Sequence, residues 1–187
     1  MKSAQQKSGH LIAVVGPSGV GKDSLLTGAR EKLPQIHFVQ RIITRAADAG
    51  GEDHRAVAPE EFAMLRQSGD LWFYWQAHGL EYGIPIDARR LVLRGHSVVF
   101  NGSRNALVEQ RRLWPDMKVI WVTANRELRE ARLSSRGRES LEDIGNRLGV
   151  VDTAVPPGAL VIKNEGSLDE GIRRMEHAIL TLARDPL

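Results

Sequence analysis

The sequence contains no cysteine, so disulfide cross-links and thiolate metal sites are excluded. Aromatic residues make up only 5% of the 187 positions, and no basic block or stripe interleaved with aromatics occurs. With a net charge of only +3, this leaves no electrostatic footprint for nucleic-acid binding. Lysine is scarce: six of the 26 basic residues are lysine and the other 20 are arginine. A GC-rich genome accounts for that total, so only the placement of particular arginines carries function. No apolar run approaches the roughly 18 residues of a membrane helix, and no membrane partner is expected. Residues 1–9 are polar and lack the apolar core of a secretory signal, which makes the cytoplasm the expected location. The 42% apolar and 26% charged composition is that of a folded chain, and the length suits one domain.

What is present alternates between two periodicities. Residues 10–15 form a short apolar run with β-branched members, the pattern of a buried parallel strand. A glycine-rich turn follows at 16–21, and then a helical pattern over 22–32 that Pro34 stops. Strands are expected at 36–43, 71–75, 97–100, 118–123 and 159–163. Helices are expected from Pro59 to Gly69, from Pro85 to Gly95, and over 103–113, 125–135, 140–150 and 167–184. Residues 45–57 read as a loop or small lobe. The alternation predicts an α/β domain with a mainly parallel sheet.

Gly16-Pro17-Ser18-Gly19-Val20-Gly21-Lys22 fits the first seven places of the phosphate-loop pattern, with a strand before it and a helix after it. Glycines let successive backbone N–H groups turn into one concavity. The helix N-terminus adds its dipole, and the lysine reaches the β- and γ-phosphates. The place after the lysine, commonly Ser or Thr, is Asp23, followed by Ser24. Asp23 has two readings of equal weight: a hard-oxygen ligand toward Mg²⁺, or a first-turn acid that suits the helix dipole. A second acid at the end of the 97–100 strand would complete a metal site of the usual kind, but Asn101 stands there.

Further segments carry a resemblance. Thr44-Arg45, Gly51-Glu52-Asp53, Gly79-x-x-Tyr82-Gly83, Arg132-Leu133-x-x-Arg136-Gly137-x-Glu139 with Ile144-x-x-Arg147-Leu148, and Val161-Ile162-x-Asn164 follow the loop in order. Over residues 10–185 the chain resembles the guanylate kinase group of nucleoside monophosphate kinases. That likeness implies a P-loop three-layer sandwich with small acceptor-binding and lid lobes. It implies a single unit over 1–187: a core at 10–35 and 97–187 with a lid near 132–148, and an acceptor lobe at 36–95.

The departures narrow the resemblance. The group's guanine-reading Glu falls at about Phe73, its Ser after Tyr-Gly at Ile84, and its later Asp at Asn101. Its second acceptor-phosphate Arg is Asp48, and its Tyr is His54. Phe73 and Ile84 would form an apolar wall with no acceptor for guanine's N–H donors. Gly-x-Gly-Lys-Asp-Ser, Gly-Glu-Asp-His at 51–54, His78-Gly79-x-x-Tyr82-Gly83 and Asn101-Gly102-Ser103-Arg104 are similar to the ribose 1,5-bisphosphate phosphokinases of phosphonate degradation. That family makes 5-phosphoribosyl 1-diphosphate with ATP.

The resemblance implies ATP and Mg²⁺ as cofactors and a sugar bisphosphate as substrate. It implies residues 16–24 (Gly16, Pro17, Ser18, Gly19, Val20, Gly21, Lys22, Asp23 and Ser24) around the nucleotide, with Asp23 toward the metal. Lys22, Arg132, Arg136 and Arg147 would act on the phosphoryl in flight. Arg45, His54, Tyr82, Asn101 and Arg104 would face the acceptor.

Taken alone, the lid arginines read as a solvated helix face, and His54 and His78 as turn donors. The run Trp72–Trp75 reads as core at alternate positions, with its other half open to a second reading as a wall of the acceptor pocket, and Arg126 and Arg129 read as surface. The alternatives to the bisphosphate kinase are a guanylate kinase with a rebuilt base pocket and a non-catalytic guanylate-kinase-like binding module. Lys22 and the lid arginines argue against the latter.

Overall fold

The structure, a computed structural model, describes residues 9–47, 52–134 and 154–184. The first apolar run becomes β1 (Leu11–Val15), buried along all five residues. Its alternation divides the core in two. Ile12 and Val14 pack with Leu25 and Ala29 of α1 (Lys22–Lys32) and with Met175 and Ile179 of α6 (Leu168–Arg184). Leu11, Ala13 and Val15 point the other way, into a cluster with Phe73, Ile84, Val92, Phe100 and Trp121. A strand buried on both faces needs apolar residues at every position, which is why the run does not alternate.

β1 lies at the centre of a five-stranded parallel sheet. The other strands are β2 (His37–Phe38), β7 (Val98–Asn101), β8 (Lys118–Thr123) and β9 (Leu160–Lys163), in the order β2-β7-β1-β8-β9. Helices cover both faces, so the chain is a three-layer α/β sandwich of the P-loop type. In such sheets the crevice for ligands opens at the carboxyl ends of the strands, where strand order reverses. The register pairs Val14 with Asn101, so the end of β7 stands beside the start of the glycine loop.

A second, four-stranded sheet has the order β4-β3-β6-β5. Its strands are β3 (Arg41–Ile43), β4 (His54–Ala56), β5 (Leu71–Ala77) and β6 (Leu80–Pro85). The single strand expected over 36–43 is therefore two: β2 joins the main sheet, and β3 turns into the small one. The segment read as a loop over 45–57 contributes β4, which pairs in parallel with β3. β5 and β6 form a hairpin whose two-residue turn is His78-Gly79, at φ 52° and 72°. Two successive left-handed residues match the right-handed twist of the flanking strands.

α2 (Pro59–Gln67), α3 (Ile86–Leu93), α4 (Leu107–Leu113) and α5 (Arg126–Ser134) complete the described helices. The helix expected from Ser103 starts only at Leu107, leaving 103–106 as turns at the mouth of the crevice. The helix expected over 140–150 lies outside the described residues. Among the described residues no helix is long and apolar enough to cross a membrane.

Candidate active site

The glycine loop leaves β1 at the sheet's carboxyl edge and enters α1. Gly19 and Gly21 sit at φ 81° and 88°, a conformation that side chains disfavour. Space excludes them as well: a Cβ would lie 2.9 Å from the Arg129 carbonyl oxygen at Gly19 and 2.8 Å from the Asn164 amide nitrogen at Gly21. Lys22 Nζ donates to the carbonyls of Gly16 and Pro17 at 2.8 and 3.0 Å, which holds the ammonium over the loop.

The outside of the loop is braced. Arg129 Nε donates to the Ser18 carbonyl at 2.9 Å. Asn164 Nδ2 donates to the Val20 carbonyl at 2.8 Å, and Arg132 donates to the carbonyls of Val20 and Asn164 at 3.3 and 3.1 Å. Arg129 was expected at the surface, yet it is only 6% exposed. The correction has a simple cause: the loop's outward carbonyls need donors, and a charged one suits them best. Arg129→Leu should lower stability by about 2 kcal/mol, the cost of leaving a buried carbonyl without its charged donor. In a domain of this size that is roughly a 5 °C fall in Tm by calorimetry.

A cavity of about 280 Å³ extends from the loop to the small sheet. Of the residues implied by the resemblance, Gly16, Ser18, Gly19, Gly21, Lys22 and Asp23 line its phosphate-loop side. Arg45 and Tyr82 line it from the side of the small sheet, and Asn101 and Arg104 from the end of β7 and the turn after it. Pro17, Val20 and Ser24 belong to the loop and first turn without lining the cavity, and Arg132 stands behind the loop. Arg136, Arg147 and Asp48 lie outside the described residues. His54 is buried in β4. Its Nδ1 lies 3.0 Å from the Glu52 carbonyl oxygen and 3.3 Å from the Arg45 guanidinium, and its Nε2 lies 3.2 Å from the Arg45 carbonyl oxygen. The ring thus fixes the segment that carries Arg45.

Two expectations about the wall are corrected. Phe73 and Ile84 are cross-strand partners, 2% and 0% exposed, and both belong to the core rather than to the cavity. The aromatics that do face the cavity are Trp75 and Tyr82, stacked at 5.5 Å with their planes 5° apart. The sequence reading also passed over Arg41, Ser103 and Asn105, all of which line the cavity. The available signal for Arg41 was a charge opening the otherwise apolar run Arg41-Ile42-Ile43.

Asn101 links the two sides. Its Nδ2 donates to Asp23 Oδ1 at 2.8 Å and to Glu52 Oε2 at 3.2 Å. Its Oδ1 is buried with no partner among the described residues. Two carboxylates and an orphaned amide oxygen form a hard-oxygen set that suits Mg²⁺, which uses one or two carboxylates together with phosphates and water. Among the described residues no group of three or more His, Cys, Asp or Glu could hold a metal unaided. On the exposed surface, the Arg112 hydrogen bond holds Glu109 below the usual carboxylate range, and the Glu130 hydrogen bond raises Arg126.

No protein-family model matches the sequence. Curated relatives do. The ribose 1,5-bisphosphate phosphokinase of Rhizobium etli is 42% identical over 177 residues, covering 92% of this chain and 90% of the relative. That of Pseudofrankia inefficax is 44% identical, covering 96% and 95%. A bifunctional ribose 1,5-bisphosphokinase-thymidine phosphorylase of Roseobacter denitrificans is 46% identical across 88% of this chain and 25% of its own length. Among solved structures, a guanylate kinase from Anaplasma phagocytophilum superposes with a TM-score of 0.68 at 22% identity, covering 96% of this chain and 89% of that one. A gluconokinase from Sinorhizobium meliloti gives 0.55 at 17%, covering 95% of each chain. These last two likenesses are of fold.

Proposed function

The chain belongs to the ribose 1,5-bisphosphate phosphokinase family, and from that premise we propose that it transfers the γ-phosphoryl group of ATP to the anomeric phosphate of ribose 1,5-bisphosphate. The products are 5-phosphoribosyl 1-diphosphate and ADP, a step in phosphonate catabolism. An oxygen of the acceptor's 1-phosphate attacks the γ-phosphorus, and the bond from that phosphorus to the β-phosphate oxygen breaks. The acceptor oxygen is already anionic near neutral pH, so no general base is needed. Positioning and charge neutralisation carry the rate.

The observation that best supports this reading is that one cavity carries both a phosphate loop and further cations. Lys22 and the loop line it together with Arg41, Arg45 and Arg104, positive charge enough for phosphates beyond those of the donor. Loop N–H groups and the start of α1 cradle the donor phosphates, and Lys22 neutralises the β- and γ-phosphates. Arg136 and Arg147 serve the phosphoryl in flight, while Arg132 braces the loop from behind. Arg45, set by His54, and Arg104 hold the acceptor, while Tyr82 and Asn101 border it. Asp23, with Glu52 and Asn101 nearby, would hold Mg²⁺, which supplies charge neutralisation between the phosphates.

The test is steady-state transfer from ATP to ribose 1,5-bisphosphate, GMP and AMP with the purified chain. The reading expects saturable turnover with the bisphosphate. A preference for either nucleotide would overturn it.

A further inference from the structure

Arg41 opens β3 with only 9% of its surface exposed, an uncommon place for a charge. Its guanidinium lies 5.0 Å from the Tyr82 ring centre and 5.8 Å from that of Trp75, against the stacked pair. Its terminal nitrogen pairs with Glu52. Glu52 accepts from Asn101, and Asn101 donates to Asp23 in the first turn of α1. Three polar contacts therefore run from Arg41 to the donor side of the cavity.

One carboxylate leaves most of this group unanswered. A guanidinium has five N–H donors and no acceptor, and Arg41 Nε has no partner among the described residues. Desolvating a guanidinium is repaid only by well-placed charge and hydrogen bonds. A phosphate offers both, with a geometry that matches the planar fork. Arg41 also lines the cavity, so such a group can reach it. In the hydrogen-bonded chain it is set back from the donor side, with Glu52 and Asn101 between it and Asp23.

Building on the bisphosphate reading above, we infer that Arg41 grips the acceptor's second phosphate, the one that does not react, and sets the preference for a bisphosphate over a monophosphate. The Trp75–Tyr82 pair and Glu52 hold its fork ready. Arg45 and Arg104 remain for the reacting phosphate.

The experiment compares ribose 1,5-bisphosphate with ribose 1-phosphate, which lacks the distal group, in the full-length wild type, Arg41→Met and Arg41→Gln. The glutamine amide leaves Glu52 a hydrogen-bond donor, so a folding defect from a stranded carboxylate is avoided. Wild type should favour the bisphosphate. In both variants kcat/KM for the bisphosphate should fall by ~10²-fold, the scale of one lost charge-assisted pair. Efficiency with ribose 1-phosphate and the KM for ATP should stay within about threefold, the precision with which an untouched contact reads. If Arg41→Gln, folded by circular dichroism, keeps the wild-type preference, Arg41 is only a structural partner of Glu52 and the inference fails. Equal losses on both acceptors would also overturn it. Wild type inactive on the bisphosphate would instead defeat the functional reading itself.

Discussion

Lys22→Met should lower kcat by about 10³-fold or more while leaving the fold intact, because a charge aimed at the transferring group is worth at least as much as one oxyanion donor. The ammonium is held over the loop by the carbonyls of Gly16 and Pro17 and lines the cavity. Its charge serves the transition state, in which negative charge spreads over the γ-phosphoryl oxygens. Methionine keeps the length of the side chain and removes the charge. The hydrogen bonds to the Gly16 and Pro17 carbonyls come from a side chain that is only half-buried, so Tm should move by a few degrees. Single-turnover rates beside a calorimetric scan separate the two effects. A folded variant with near-normal turnover would remove the phosphate loop from the chemistry.

Ribose 1,5-bisphosphate should exceed GMP in kcat/KM by about 10³-fold, the scale of two guanine donors left unpaired at roughly 1–3 kcal/mol each. The reason differs from the one the sequence suggests. Phe73 and Ile84, which stand where a guanine reader has Glu and Ser, are core residues. The wall itself offers Arg41, Arg45 and Arg104, which have donors only, and the faces of Trp75 and Tyr82. Asp23 Oδ1 and both carboxylate oxygens of Glu52 are engaged by Asn101 and Arg41. The other acceptors in the lining are the neutral oxygens of Asn101, Ser103 and Asn105, so guanine's N1–H and exocyclic amine meet no carboxylate free of a partner. A sugar bisphosphate has no such donors, and its second phosphate gains the arginines. Initial rates with both acceptors at matched ATP check this, and comparable efficiencies would return the specificity question to the guanylate kinases.

Much of the frame was legible because it rests on local pattern. The turn at 16–21 and Pro34 bound the helix at 22–32, and the run at 118–123 is a strand buried over its four central residues. Less was legible where a residue's surroundings come from distant sequence. Arg129 looks like any charged helix residue, and its burial depends on the Ser18 carbonyl, 111 positions away. β4, His54-Arg55-Ala56, is too short for periodicity, so only its pairing with β3 reveals a strand. The break between β2 and β3 has no marker, because each half is extended and the two differ only in the sheet they join. Arg41 is hidden for a related reason: pattern reading allots charge to the surface, whereas Tyr82, Trp75 and Glu52 hold this one inside.

The central claim is that the acceptor atom is an oxygen of a sugar's anomeric phosphate. Phosphorus-31 NMR of the purified chain with ATP, Mg²⁺ and ribose 1,5-bisphosphate tests it most directly, with GMP in a parallel tube. The account predicts that the anomeric phosphate resonance gives way to a diphosphate pair as ADP appears, with the 5-phosphate signal retained and GMP almost unchanged. GDP forming at a comparable rate, or ATP consumed with no new sugar diphosphate, would contradict it.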